Sequence, residues 1–476
     1  MRAGKGIAMK RESCWKTYTD EDIAQLNALA EEYRVFISKN KTEREFTRAA
    51  IAQAEQQGYV DLKKAAPEDV VPGAKFWAQT HGKAVMLIQI GRQPLSEGFN
   101  ILGAHMDSPR LDVKANAFYE KSEMAFFDTH YYGGIKHYQW VTHPMALHGV
   151  IAKKDGSVVD VCIGEDPSDP VLVVNDLLIH LANKQMQKSG NDVVEAEALD
   201  LLAGNRPLII ADDDESDQAK EAKASPVKAY VLQILKEKYG VEEEDFLSAE
   251  LCAVPAGEAR DLGLDRSMII GYGQDDSACA WCSMKAQFDL GLTDKCAVSI
   301  LVDKEEIGSV GASGMGSMFF ENTIIYLMSL VGQGSLLEIR SALERSSMLS
   351  SDVNSAVDPN HMDVFDDTNC SYAGRGLVFN KYTGSRGKSG ANDADAEYVA
   401  RIRNIMDGNN VRCQFAELGR VGAGGGGTIA YIPAKYGMNV IDSGVSVLSM
   451  HAPWEAVSKA DIFEAYKGYK AFQMNA

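Results

Sequence analysis

The strongest constraint on this chain is the way its apolar runs end. Three short β-type runs, NILGA (100–104), AVSILVDK (297–304) and VSVLSM (445–450), each stop at residues able to hold a metal ion. The first leads into His105 and Asp107, the second into Glu305 and Glu306, the third into His451. Between them lie helix-compatible segments such as DDSACAWCSMKAQFDLG (275–291). Apolar strands alternating with helices predict an α/β fold with a largely parallel sheet covered on both faces. In such sheets ligands bind outside the carboxyl ends of the strands, so groups far apart in sequence are expected to converge there. MIIGYG (268–273) leads likewise toward Asp275 and Asp276, and Ser350-Ser351-Asp352 adds a carboxylate in a polar turn.

The donors so gathered are two imidazoles and several carboxylates, with no thiolate at a ligand-like position. That set suits zinc, manganese or cobalt and disfavours an all-cysteine structural site. Two ions about 3.5 to 4 Å apart would use five or six such ligands, and water bound to them would become a nucleophile near neutral pH. Adjacent residues at a strand end point in different directions, so one glutamate of the Glu305-Glu306 pair can ligate while the other takes the water's proton. Asp107 can accept a hydrogen bond from the second ring nitrogen of His105, or simply hold the turn. Either Asp275 or Asp276 could bridge two ions.

Two helices are expected near the start of the chain. Thr19 precedes an acidic first turn, and Thr42 with Glu45 has capping-box spacing. From about residue 115 to 265 the pattern changes to aromatic and β-branched stretches, with a hairpin expected around 151–157. LLIHLANKQMQ (177–187) fits a helix or a strand-helix junction, and the acidic ADDDESDQAKEAKASP (211–226) reads as a solvated loop. The expected organisation is a discontinuous α/β domain, 1–114 and 266–476, interrupted by a β-rich insertion, 115–265.

Composition removes other classes. With 48 Lys plus Arg against 67 Asp plus Glu, the net charge of −19 repels nucleic-acid backbones and anionic lipid, so neither is an expected partner. No apolar run of about 7 to 15 residues follows the basic N-terminus, and none reaches about 18 elsewhere, so neither a signal peptide nor a membrane span is expected. The eight cysteines are scattered without a disulfide-framework spacing, which fits a reducing cytoplasm.

The segments GAHMDSPRLDVK (103–114), MIIGYGQDDSACA (268–280), LVDKEEIGS (301–309), SSDVNSAVDPN (350–360) and SMHAPWE (449–455) resemble, in order and spacing, the aspartyl aminopeptidase and aminopeptidase I family of dinuclear zinc exopeptidases. The resemblance runs through most of the chain and is nearest to the bacterial branch. It implies a zinc-exopeptidase-like catalytic domain with a mixed, largely parallel sheet flanked by helices, and an inserted dimerisation domain. Dimers in that family often build a dodecameric shell. The resemblance assigns His105 and Asp352 to one ion, Glu306 and His451 to the other, Asp275 as the bridge, Glu305 as general base and Asp107 as the residue orienting His105. It also matches His180 to a histidine that reaches a neighbouring subunit's active site, and Lys381 to a lysine near the substrate.

Two departures from the eukaryotic branch, Ser355 where that branch has a histidine and the loop GAGGGGTIAYIP (422–433), leave an acidic substrate preference open against a broader one. The expected activity is removal of N-terminal residues from peptides. The alternatives are a deacylase or carboxypeptidase on a similar scaffold, or a catalytically silent shell. Cys279 and Cys282 form one CxxC on a helix-type segment and are read as structural. His130, His137, His143 and His148 alternate with aromatics and are read as strand-surface or interface histidines.

Overall fold

The structure, a computed structural model, describes residues 12–211, 213, 214, 216–384, 392–423 and 425–476. The basic N-terminal stretch through residue 11, and Gly424 of the glycine run, lie outside them. The chain divides into two compact units. One comprises residues 1–107, 259–450 and 455–476; the other comprises 108–258 and 451–454.

The first unit is built on a nine-stranded mixed sheet. Its four central strands, Cys296–Val302, Phe99–His105, Ser347–Ser351 and Asn439–Gly444, run parallel to one another in that order. Toward one edge follow Ala84–Gln89, Lys75–Thr80 and Val60–Asp61, and toward the other Leu377–Asn380 and Cys413–Phe415. The first three central strands are buried at every residue, as expected of parallel strands covered on both faces.

Alternation along each strand sorts residues to the two faces. Leu102, Leu349 and Ile441 enter a core with the helices Asp20–Lys39, Glu43–Gln56, Gln274–Phe288, Ala396–Gly408 and Lys459–Asn475. Their neighbours Ile101, Met348 and Val440 enter a second core with Phe319–Leu330 and Leu336–Glu344. The expected capping box of Thr42 with Glu45 is present, and Thr19, before its acidic first turn, forms another with Asp22.

A five-stranded sheet also belongs to this unit: Arg260–Leu262, Met268–Gly271, Glu455–Ser458, Ser446–Leu448 and Asn354–Ser355. Here one expectation is corrected. The VSVLSM run is not a strand of the nine-stranded sheet: its strand, Ser446–Leu448, lies in this smaller sheet and follows Asn439–Gly444 after a break at Val445.

The second unit is a seven-stranded antiparallel sheet in the order Val158–Ile163, Met145–Ala152, Ala249–Pro255, Arg110–Lys121, Met124–Tyr132, Leu201–Gly204, Val173–Val174. The expected hairpin around 151–157 is the turn joining its first two members. Phe118, Phe127 and Phe246 pack ring against ring in its core, with centroids 4.3 and 4.7 Å apart for the two pairs involving Phe118. Two local expectations fail. Residues 217–224 form a helix capped by Ser216, because glutamine, alanine, lysine and glutamate are good helix formers once a cap is supplied. Residues 177–187 form only two 3₁₀ turns, Ile179–Leu181 and Gln185–Gln187, their apolar residues facing outward. Among the described residues no helix is long and apolar enough to cross a membrane.

Candidate metal centre

The carboxyl ends of three central strands deliver the chemistry. His105 closes the Phe99–His105 strand and is 1% exposed; Asp107 follows it at 0%. Cys296–Val302 leads through Asp303 and Lys304 into a 3₁₀ turn, Glu305–Ile307. Asp352 directly follows Ser347–Ser351, and its N–H donates to the Ser443 carbonyl at 2.9 Å. Asp275, 4% exposed, stands in the first turn of Gln274–Phe288, where the Asp275–Asp276 peptide is cis.

These groups meet. His105 Nε2 lies 3.3 Å from Asp275 Oδ1 and 3.9 Å from Asp352 Oδ1. On its other side Nδ1 is 2.9 Å from the Asp107 carbonyl oxygen and 3.3 Å from Asp107 Oδ1. Facing only acceptors there, Nδ1 carries the proton and leaves Nε2 as the ligand atom. Asp107 does more than the sequence reading assigned to it. Its Oδ1 accepts the Glu305 N–H and its Oδ2 the Glu306 N–H, each at 3.1 Å, tying the two strand ends together. Asp275 and Glu306 offer carboxylate oxygens within 4.8 Å of one another.

Charge explains what such a cluster can do. Burial alone would lower the His105 pKa, but Asp107, Asp275 and Asp352 override it and raise it well above its ordinary range, so positive charge at Nε2 is favoured, and a metal ion there takes the place of the proton. Burial pushes Glu305 up to about 8; Asp352, Asp275 and Asp107 add to the shift and His105 opposes it. Burial also raises Asp276, 0% exposed, against the pull of His105. Carboxylates packed out of water at this density repel one another unless a cation compensates them. Oxygen and imidazole donors converging within 4.8 Å, as His105, Asp275 and Asp352 do, fit a zinc-type ion.

His451 is in the second unit, where its Nδ1 is 2.6 Å from the Gly134 carbonyl oxygen and its own carbonyl accepts the Trp140 indole N–H at 3.4 Å. His180 is exposed on the Ile179–Leu181 turn of the same unit. Lys381 Nζ is 3.0 Å from both Tyr382 Oη and Asp393 Oδ1. Cys279 and Cys282 are fully buried in Gln274–Phe288, their thiols pushed up by burial. His148 is buried 3.0 Å from Glu165, whereas His130 and His137 face backbone carbonyls.

Glu455 is a further residue of this cluster, one that no strand-end pattern marks. It lies within the quoted SMHAPWE segment, is 1% exposed, and its Oε2 accepts the Asp275 N–H at 3.0 Å. The available signal was an acid opening a short apolar strand.

With this geometry established, comparison with known proteins is decisive. The family described as aminopeptidase I zinc metalloprotease (M18) matches residues 36–473. The chain belongs to the M18 family. A probable M18 family aminopeptidase 1 of Clostridium acetobutylicum is 52% identical over 98% of either chain. The crystal structure of aminopeptidase I from that organism superposes with TM-score 0.90 at 49% identity, covering 98% of this chain and 99% of that one. An M18 aminopeptidase of Thermotoga maritima gives TM-score 0.91 at 38% identity, covering 98% and 100%. The mApe1 dodecamer of Saccharomyces cerevisiae shares the fold at 19% identity and TM-score 0.75, covering 94% and 97%. The M18 chain described here is accordingly a metalloaminopeptidase, a hydrolase acting on peptides.

Proposed function

We propose that this M18 aminopeptidase holds two divalent ions, zinc in the first instance with cobalt or manganese as substitutes, and releases single residues from peptide N-termini. His105 and Asp352 would hold one ion, Glu306 and His451 the other, and Asp275 would be shared between the two. The contact of His105 Nε2 with Asp275 favours Asp275 over Asp276 for that role. When bound, the ions polarise the scissile carbonyl and acidify an attacking water. Glu305 accepts the water's proton and returns it to the leaving amine. Asp107 fixes the His105 ring and, through both its oxygens, the Glu305-Glu306 turn.

The observation that carries this reading is the convergence of buried His105 and Asp275 with half-buried Asp352, beside the carboxyl ends of the central parallel strands. Aminoacyl anilides and their N-acetylated twins, assayed with metal-loaded and chelated protein, test it. Metal-dependent cleavage of the free-amine compounds alone is expected; cleavage of acetylated compounds at the same rate sinks the aminopeptidase reading of the site.

The assembly we propose is a dimer that builds a dodecamer, in which His180 enters a neighbouring subunit's site and Lys381 lies near the substrate. Leu178, Ile179 and Leu181, exposed at 58, 61 and 70% around His180, support it as apolar surface that a second copy covers. All eight cysteines are free thiols, which supports a cytoplasmic setting.

A further inference from the structure

A buried carboxylate outside the proposed ligand set organises the loops beside it. Asp442, 2% exposed, lies in Asn439–Gly444 and pairs in register with Ser350 on one side and Asn380 on the other. The next residue, Ser443, accepts the Asp352 N–H. Three hydroxyls converge on Asp442. Thr428 Oγ1 donates to Oδ1 at 2.6 Å, Ser350 Oγ to the same oxygen at 3.3 Å, and Thr383 Oγ1 to Oδ2 at 3.2 Å.

Those threonines belong to different loops. Thr383 lies in the arm that leaves Leu377–Asn380 past Lys381, and its hydroxyl also accepts the Asn392 N–H at 3.1 Å. Thr428 closes the glycine-rich run. The loops touch directly as well, the Gly384 N–H donating to the Gly426 carbonyl at 2.9 Å. Glycine-rich backbone has little side-chain packing to hold it, so external hydrogen bonds decide its conformation. One carboxylate reading both loops makes their positions interdependent. Its place, one residue from the carbonyl that holds Asp352, puts the fixed point at the strand edge where ligands of α/β sheets bind.

We propose that Asp442 is a positioning residue for peptide binding, locking residues 381–384 and 425–428 through Thr383 and Thr428 into one wall beside Asp352. The inference rests on the reading of that strand edge as the active site and adds the residue that sets the substrate's KM there.

The test uses the full-length, zinc-loaded enzyme and a panel of aminoacyl anilides. Replacing both threonines by valine keeps their shape and removes the hydroxyls; replacing both by serine keeps the hydroxyls. T383V/T428V is expected to raise KM about tenfold or more with kcat within about threefold, and T383S/T428S to restore KM to within about twofold. Zinc affinity, read by chelator competition, stays unchanged in both. D442N added to the valine pair costs little more, because all three act through one carboxylate. Equal kinetics in the valine and serine pairs overturns the proposal, as does lost zinc affinity with KM intact, which would assign Asp442 to the metal cage. Wild-type protein that binds zinc but cleaves no anilide overturns the active-site reading itself, a result separable from the others by the wild-type arm alone.

Discussion

Asp107 shows how much one side chain can hold at this edge. Its carbonyl and Oδ1 face His105, while Oδ1 and Oδ2 take the amides that begin the Glu305-Glu306 turn. Asp107→Ala keeps the carbonyl but frees both amides, so zinc affinity is expected to fall about 10- to 100-fold, with kcat falling as well, read by chelator competition and steady-state kinetics. Glu305→Gln separates proton transfer from binding: zinc content stays stoichiometric while kcat drops about 10² to 10⁴. Should Glu306→Gln give that pattern instead, the two glutamates exchange roles. Strand ends made His105, Asp107, Glu305 and Glu306 legible in the sequence, because an apolar run that stops at a polar donor marks its own edge. Glu455 and Asp442 were not legible, since their partners, the Asp275 amide and three hydroxyls, come from other elements.

At the scale of elements, the central sheet requires a close backbone approach. A Cβ on Gly444 would stand 1.8 Å from the Asp352 carbonyl oxygen, so only glycine lets Asn439–Gly444 run against the chain that carries Asp352. Gly444→Ala is expected to destabilise the fold by roughly 2 kcal/mol or more and to weaken zinc binding, measured by urea unfolding and chelator competition. Wild-type zinc affinity in a stable G444A protein would show that Asp352 tolerates the shift. Thr42→Ala removes only one cap and should cost about 1 kcal/mol without touching kinetics. The capping boxes and the continuous apolar runs were readable because their signals are local. The sheet to which Ser446–Leu448 belongs was not, since strand pairing is decided by partners distant in sequence. The helix 217–224 was hidden by its acidic flank, although Ser216 supplied the cap.

At the scale of the whole chain, fold class and family were legible because alternating strands and helices, and the order of the motifs, extend over most of its length. Long-range closure was not, and Asp461 provides a handle on it. Near the start of Lys459–Asn475 it accepts the Gly374 and Gly376 amides at 2.7 Å each, while the Gly374 carbonyl accepts the Cys14 N–H. Burial pushes Asp461 up to about 7, with Glu464 adding and the backbone amides opposing. The folded state therefore binds a proton that the unfolded chain, with a carboxyl near 4, has released. Between about pH 4 and pH 7 stability falls as pH rises, and above 7 both states are ionised and the penalty is constant. Asp461→Asn cannot titrate. Its amide N–H faces one of the two backbone donors, so the variant is less stable at low pH. Its deficit relative to wild type should shrink by up to ~4 kcal/mol from pH 4 to pH 7 and then stay level, read by urea unfolding of both proteins at matched zinc. A deficit that holds constant across that interval would mean Asp461 is already ionised in the fold at low pH, its two backbone donors outweighing its burial.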